Sequence, residues 1–324
     1  MAVAKKVVNF ADGGLDMTSQ TSGTPTGGVT SPAAPNATYS ISLASGDNFS
    51  IEPNENVELP TDSLAAPFKN LFKVHFTDTT PSSDSDFAVF HKSGGSTDGY
   101  RNLTLRLLTT GNVEVRSNDN GTVAATITAP FTDNEWHQVS VWFEESATGD
   151  AEIVIDGTST TITSADFDAS TGTANNVRPR FFGPASGTMY ITEYVGVIAC
   201  TNNSDFPDAL DVYDYRPGGS PTTAGDAPDA GSWANTGEQP LSESNSMTYN
   251  AGSNDGFVTF DSTGGGPAAD ASTPSGTYTA ASYFWWAERG NGGGTTLNWQ
   301  YGNDSHTTST INTVSASLGA NPRS

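Results

Sequence analysis

The sequence has almost no cysteine. Cys200 stands alone in 324 residues, which excludes an internal disulfide framework and any zinc site built on thiolates. It closes the apolar run MYITEYVGVIAC, a setting that predicts a buried, unreactive thiol. Positive charge is scarce too: 13 Lys and Arg stand against 36 Asp and Glu, for a net charge of −23. Such a field repels phosphate backbones and anionic bilayers, so neither nucleic acid nor a charged membrane surface is an expected partner. No apolar run approaches the roughly 18 residues of a membrane span, so no membrane insertion is expected. The opening MAVAKKVVNFADGG has two lysines and then only Val7 and Val8, without the apolar core of a secretory signal. Sustained 3.6-residue periodicity is missing as well, which argues against long helices.

What is present is uncharged polarity. Charged residues make up 15% and hydrophobic residues 35%, so Ser, Thr, Asn and Gly carry the solubility. That is the composition of short strands joined by turns, with a hydrated exterior. Residues 18–37, TSQTSGTPTGGVTSPAAPNA, have little to bury, and residues 1–37 read as a low-complexity N-terminal arm. Such an arm either stays extended or orders against a neighbouring subunit.

From Thr38 the period changes to two. TYSISLAS places Tyr39, Ile41 and Leu43 on one face, and LFKVHF places Phe72, Val74 and Phe76 opposite Leu71, Lys73 and His75. FAVFH, NLTLRLL, NVEVRS, TVAATITA, HQVSVWFE, AEIVIDG and MYITEYVGVIA follow, separated by Gly, Asn, Asp and Pro. This spacing predicts an all-β, antiparallel jelly-roll sandwich over residues 38–216. DFPDALDVYDYRPGG predicts a short helix at its end, with Asp205 as the cap, Pro207 in the first turn and Pro217-Gly218 as the stop. Asp205, Asp208, Asp211 and Asp214 recur every three residues, a row that could suit calcium. The helix start accounts for the early ones, however, and no glycine-centred calcium loop is present. Residues 217–240 read as a linker, and 241–324 as a second, smaller β domain with strands in SMTYNA, GFVTFDS, TYTAASYFWWAE, TTLNWQYGN and TSTINTVSAS.

One passage is more specific. In DNEWHQVSVWFEESATGDAEIVIDG, Trp136-His137 opens a strand whose Val139, Val141 and Phe143 share a face. Ile153 and Ile155 return on one face, and Asp156-Gly157 makes a tight turn because both central positions need positive φ. This W-H-x-V strand followed by a strand ending in D-G resembles the laminin-G-like, concanavalin-A-like jelly-roll family, over about residues 38 to 200. In that likeness TYSISLASGDNFSIEP is the opening strand and GTMYITEYVGV the closing one. The resemblance implies an antiparallel sandwich with a binding surface at its loops or on a concave face. It implies glycan or protein ligands, often with calcium, and some related folds cleave polysaccharide. The family's calcium-loop residues have no placement on this sequence, and turn geometry already accounts for Asp156. No cofactor is therefore expected, and any calcium is unplaced. Trp136 reads as core packing rather than a sugar platform.

Catalytic patterns are not found. Jelly-roll glycosidases need carboxylates spaced as E-x-D-x-E, and neither DFDAS nor EVRSND is equivalent. An Arg-rich strand paired with a Gln-x-His strand, as lyases use, is not seen. A Ser-His-Asp set depends on spatial neighbours, which sequence does not reveal. Of the four histidines, His75, His91 and His137 lie in or beside strands, where a packed or solvent-facing imidazole is the default, and His306 is the fourth. GNGGGTT lacks a following helix and reads as a hairpin loop, not a phosphate cradle. The aromatic cluster Tyr283, Phe284, Trp285 and Trp286, with Trp299 and Tyr301, is the best binding candidate. In a strand only one alternate pair faces a core, so the other is exposed, covered by a neighbour or stacked on a sugar. Trp285, Trp286, Trp299 and Tyr301 are the ligand-binding candidates.

The expectation is a non-enzymatic virion protein of a bacteriophage, a capsid decoration, head-fibre or tail-fibre subunit. Its partners would be other virion proteins, copies of itself in a homo-oligomer, and host cell-surface glycan. The alternatives are a secreted or surface carbohydrate-binding module of a bacterium and a polysaccharide-cleaving enzyme.

Overall fold

The computed structural model describes residues 3–8, 23–35, 40–51, 67–92, 101–118, 121–168, 177–198 and 200–210, and four further strands within 222–317. The first strands are β1 (Val3–Val8), β2 (Thr26–Val29), β3 (Ser40–Ala44), β4 (Asn48–Ser50), β5 (Phe68–Phe76) and β6 (Ser85–Lys92). Next come β7 (Arg101–Leu107), β8 (Val113–Ser117), β9 (Thr122–Ile127), β10 (Trp136–Phe143), β11 (Gly149–Ile155) and β12 (Thr158–Ala165). The last are β13 (Val177–Phe182), β14 (Thr188–Ile198), β15 (Thr222–Gly225), β16 (Gly256–Thr259), β17 (Thr296–Tyr301) and β18 (Asn312–Ser317).

The chain divides into two compact units. One is carried by Met1–Asp214 with Tyr278–Ala280, the other by Tyr215–Thr277 and Ala281–Ser324. In the second unit β15 pairs with β16 and β17 with β18, both antiparallel. β15 falls inside the stretch expected to be a linker. Its Thr-Thr pair suits an extended ladder and finds a partner strand in Gly256–Thr259.

The first unit is an antiparallel jelly-roll sandwich. An eight-stranded sheet runs β12-β11-β10-β5-β14-β3-β2, with β1 also on β14, and a six-stranded sheet runs β4-β13-β6-β7-β8-β9. The period-two pattern explains which residues lie between the sheets. Phe72, Val74 and Phe76 of β5 and Val139, Val141 and Phe143 of β10 are buried against Phe90 of β6, Leu103 and Leu105 of β7 and Phe181 of β13. Phe72 meets Phe181 edge-on at 5.0 Å and Phe90 at 6.4 Å, so rings from the two sheets interlock. The Asp156-Gly157 turn has φ of 48° and 78°, the mirror-image hairpin expected from its sequence.

β14 contains a feature that alternation hides. Met189 and Ile191 face the core, but Glu193 bulges out of register between Thr192↔Lys73 and Tyr194↔Phe72, with φ of 56°. The extra residue inverts the parity. Tyr194 therefore joins the inner core, while Val195 and Val197 turn to the outer face. The same bulge divides the edge of β14, which pairs with β3 through Thr188–Ile191 and with β1 from Tyr194 to Ile198.

Two expectations change here. Residues 1–37 are not simply an arm: β1 and β2 are strands of the eight-stranded sheet, β2 lying on β3. Backbone pairing orders β2, so it needs no apolar side chains. Its neighbours are tied in as well, since Thr24 N–H donates to Asp47 Oδ1 at 2.7 Å and the Trp136 indole donates to Ala33 O at 2.8 Å. The second concerns the short helix from Asp205, which is not formed over residues 206–210. A single 3-10 turn, Asn203–Asp205, ends at Phe206 with extended dihedrals. The cause is Lys69 on the outer face of β5. Its fully buried ammonium donates to Asn203 O and Asp208 Oδ1, both at 2.8 Å, and to Phe206 O. That grip holds the segment flat, with Phe206, Leu210 and Cys200 packed on Leu71, Trp142, Val195 and Val197. Asp211, Asp214 and the expected helix stop lie outside the described residues.

Candidate binding face

The sequence candidates come first. Trp285 and Trp286 lie outside the described residues. Trp299 and Tyr301 stand on β17, opposite Val314 and Asn312 of β18, and their side chains are outside the described set. His306 is outside it too. Cys200 is fully buried, its thiol donates to Asn202 O at 3.2 Å, and burial pushes its pKa up, which suits an inert thiol. Among the described residues no group of three or more His, Cys, Asp or Glu is arranged to hold a metal ion.

His75 and His137 are structural parts of the large sheet, and His91 stands on β6 of the six-stranded sheet. His137 Nδ1 donates to Asp156 Oδ2 at 2.6 Å, and Nε2 lies 3.0 Å from Thr132 N and 3.1 Å from Thr132 O, so both ring nitrogens are engaged within the chain. His75 lies on the outer face between Trp136, with centroids 5.3 Å apart, and Tyr190, at 5.5 Å. Burial lowers its pKa, against backbone hydrogen bonds that favour the charged form. Trp136 thus packs on the outside of the sheet and not in the core expected from its sequence, because Val139, Val141 and Phe143 take the inner positions of β10; its N–H is engaged by Ala33. Beside this row Lys73 Nζ lies 2.9 Å from the bulged Glu193, both buried. At the inner end, Tyr194 donates to Asn70 Oδ1 at 2.6 Å, and burial holds its phenol strongly protonated. The outer face of the large sheet is therefore largely committed to the chain's own segments.

The outer face of the six-stranded sheet is different. There β13, β7 and β8 present arginines at positions that alternate with core residues. Arg180 pairs with Val89 of β6, Val89 with Thr104 of β7, and Thr104 with Arg116 of β8, so one cross-strand row begins and ends in guanidinium. Arg106 stands opposite Asp86 on one side and Glu114 on the other.

Each guanidinium is held in place. Arg106 Nε donates to Asp86 Oδ1 and Arg101 Nη1 to Asp86 Oδ2, both at 2.6 Å. Arg116 donates twice to Glu114 Oε2, at 2.8 and 2.6 Å. Arg180 donates twice to Asn48 Oδ1, at 3.0 and 2.7 Å, and its guanidinium lies 4.9 Å from the Phe182 ring centroid. Burial alone would raise the pKa of Asp86, but the hydrogen bonds and charges of Arg106 and Arg101 outweigh it and hold the carboxyl below its usual range. The side chains of Arg101, Arg106 and Arg116 remain 24%, 27% and 24% exposed. The face thus presents oriented planar cations to water, the geometry that suits bidentate contact with oxyanions. Sequence reading missed it because these arginines come from three strands that only the register brings onto one face. The available signal was the alternation of Arg with apolar residues in LTLRLL, VEVRS and VRPRFF.

No family model and no curated protein sequence matches the chain. Solved structures resemble it in fold. The binding domain of botulinum neurotoxin DC in complex with SialylT is 12% identical with a TM-score of 0.40, covering 62% of this chain and 50% of that one. The carbohydrate esterase of the Shiga toxin-encoding bacteriophage phi24B is 14% identical with a TM-score of 0.42, covering 61% of this chain and 99% of that one. An alginate lyase from a Chlorella virus is 9% identical with a TM-score of 0.37, covering 60% of this chain and 91% of that one. The chain spans about half the length of the botulinum binding domain it resembles. At such identities no residue role passes from these proteins to this one.

Proposed function

We propose that the chain is a non-catalytic attachment subunit of a bacteriophage particle, a capsid decoration, head-fibre or tail-fibre protein. In this reading its jelly roll contacts surface glycan or neighbouring subunits through the outer face of the six-stranded sheet. The supporting observation is that face: four fixed arginines on a rigid sheet, in a chain whose net charge is −23. A sheet supported by an interlocked Phe core holds such groups without the ordering cost that loops incur, which is what a recognition surface needs. The uncharged polar composition fits life on an exposed particle surface. Homo-oligomerisation belongs to the same proposal.

Negative-stain images of purified particles with an antibody to this chain test the location. Regular labelling of head or tail is expected, and unlabelled particles would remove the virion reading. Incubation with a panel of bacterial and algal polysaccharides tests the non-catalytic part. No new reducing ends or unsaturated sugars should form, and their release would replace attachment with an enzyme.

A further inference from the structure

We infer that β12, the outermost strand of the eight-stranded sheet, joins a second copy of the chain by antiparallel strand addition. The inference rests on the proposed homo-oligomerisation and names its surface. Strands at the margin of a sheet leave backbone N–H and C=O groups unpaired, and proteins guard them with charge, brevity or a bulge. β1, paired with β14, carries Lys5 and Lys6. β4 has three residues, and β2 has four, two of them glycine. β9 leaves register with β8 between Val115 and Arg116. β12 has none of these devices over Thr158–Ile162. Its register with β11 runs unbroken there, and TSTTI holds no charge, glycine or proline. Thr158, Ser159 and Thr161 are exposed, and among the described residues nothing pairs with the open side of the strand. Thr and Ile are also strong strand formers.

The ladder fixes which groups are on offer. Asp156 N–H donates to Gln138 O on β10, so the neighbouring Ile155 turns its backbone groups toward Thr158 of β12. Alternation then points the N–H and C=O of Ser159 and Thr161 away from β11. A two-fold axis at Thr160 sets Ser159 of each copy opposite Thr161 of the other, and the two exchange N–H···O=C bonds. Thr160 meets its own counterpart between them, a Thr–Thr pair that suits antiparallel strands. Charge selects the same occupant. A chain of net charge −23 resists self-association wherever like charges meet. With two β12 strands between them, Asp150 and Glu152 on the β11 strands of the two copies stand three strand spacings apart, about 14 Å, beyond the screening length of about 8 Å. The strand itself offers no charge for a charged partner to read, and its Thr and Ser residues complement their own repeat.

Sedimentation of the full chain over a concentration series, with hydrogen exchange at each point, tests this. The chain should associate reversibly to a dimer. The Ser159 and Thr161 amides should gain protection as the dimer forms, while Thr160, whose amide faces β11, should not change. Thr161→Pro removes an outward donor and no bond within the chain, so it should weaken association about tenfold or more. The thermal midpoint of the monomer, read at high dilution, should change little. Thr161→Lys should weaken association in the same way, whereas Thr161→Val, an uncharged strand former, should preserve it. Association untouched by both Thr161→Pro and Thr161→Lys would overturn the inference and leave homo-oligomerisation to another surface. A chain that stays monomeric throughout would overturn both. Ser159 and Thr161 amides protected only in purified particles would give the edge to a different particle protein and overturn the inference.

Discussion

His137 and Asp156 are bonded across the β10–β11 hairpin, with Nδ1 donating to Oδ2 at 2.6 Å. The other oxygen of Asp156 accepts the Gln138 N–H at 2.9 Å. One carboxylate therefore closes the turn and orients the imidazole at the start of the facing strand. The spacing between W-H and D-G in the sequence is the imprint of that contact.

Asp156→Ala should remove both acceptors and place alanine at φ 48°. Lost hydrogen bonds to buried groups cost about 1–3 kcal/mol, and a left-handed alanine costs about 1–2 kcal/mol more. Urea unfolding should register a loss of about 2–5 kcal/mol. Asp156→Asn keeps an acceptor and a residue favoured in this turn, so it should lose less than half as much. Equal losses would mean that the carboxylate charge alone matters.

Lys69 fastens residues 200–210 to the outer face of the large sheet. Lys69→Met leaves the carbonyls of Asn203 and Phe206 without this donor and Asp208 without its cation. Breaking a buried pair costs about 3–5 kcal/mol, and because the Asp208 side chain is 39% exposed and can rehydrate, the lower end applies. Hydrogen exchange across 200–210 should accelerate, including the Cys200 N–H that bonds to Pro67 O. Asp208→Asn keeps a hydrogen-bond acceptor and should cost about 1 kcal/mol. If the two variants matched, the two backbone carbonyls would contribute nothing.

The sandwich was legible in the sequence wherever alternation ran unbroken. Phe72, Val74 and Phe76, and Val139, Val141 and Phe143, occupy the faces their spacing assigns. Alternation fails at Glu193, because the bulge falls on a residue with no glycine-like signature and flips every position after it. The helix expected from Asp205 had good local caps. It lost to Lys69, which lies far away in the chain and whose grip on Phe206 and Asp208 no local window contains. The arginine face was hidden for the same reason: Arg180, Arg106 and Arg116 come from three strands, and only register brings them onto one surface. Of the aromatic candidates, Trp285 and Trp286 lie outside the described residues.

His75 gives the fold a mild acid sensitivity. Burial between Trp136 and Tyr190 lowers its pKa below 6.5, and its buried Nδ1 has no hydrogen-bond partner. The folded state therefore holds the ring neutral, whereas the unfolded chain takes up a proton as pH drops past 6.5. This contribution is complete above pH 6.5 and is lost as pH falls from there toward the folded value. The thermal midpoint should decline between about pH 7 and 5, and His75→Phe, which cannot titrate, should flatten that decline. An unchanged slope in His75→Phe would place the sensitivity elsewhere.

Gly183, just after β13, lies against the end of β3 in the other sheet. A Cβ there would collide with Ala44 O and lie 2.5 Å from Ala44 C, backbone atoms that belong to β3. The Gly183 N–H also donates to Asp47 O at 2.9 Å, so this stretch cannot retreat without breaking that bond. Gly183→Ala should therefore cost at least about 3 kcal/mol, at the upper end of single-residue effects. Gly28→Ala is the control. Gly28 has φ of 66° and nothing within 4 Å of its Cβ position, so alanine there incurs only backbone strain, about 1–2 kcal/mol. The larger loss at Gly183, measured by urea unfolding of both variants, would show that steric contact and not conformational preference selects glycine at residue 183. Similar losses would mean that β3 yields, and that the sheets are not locked together at this point.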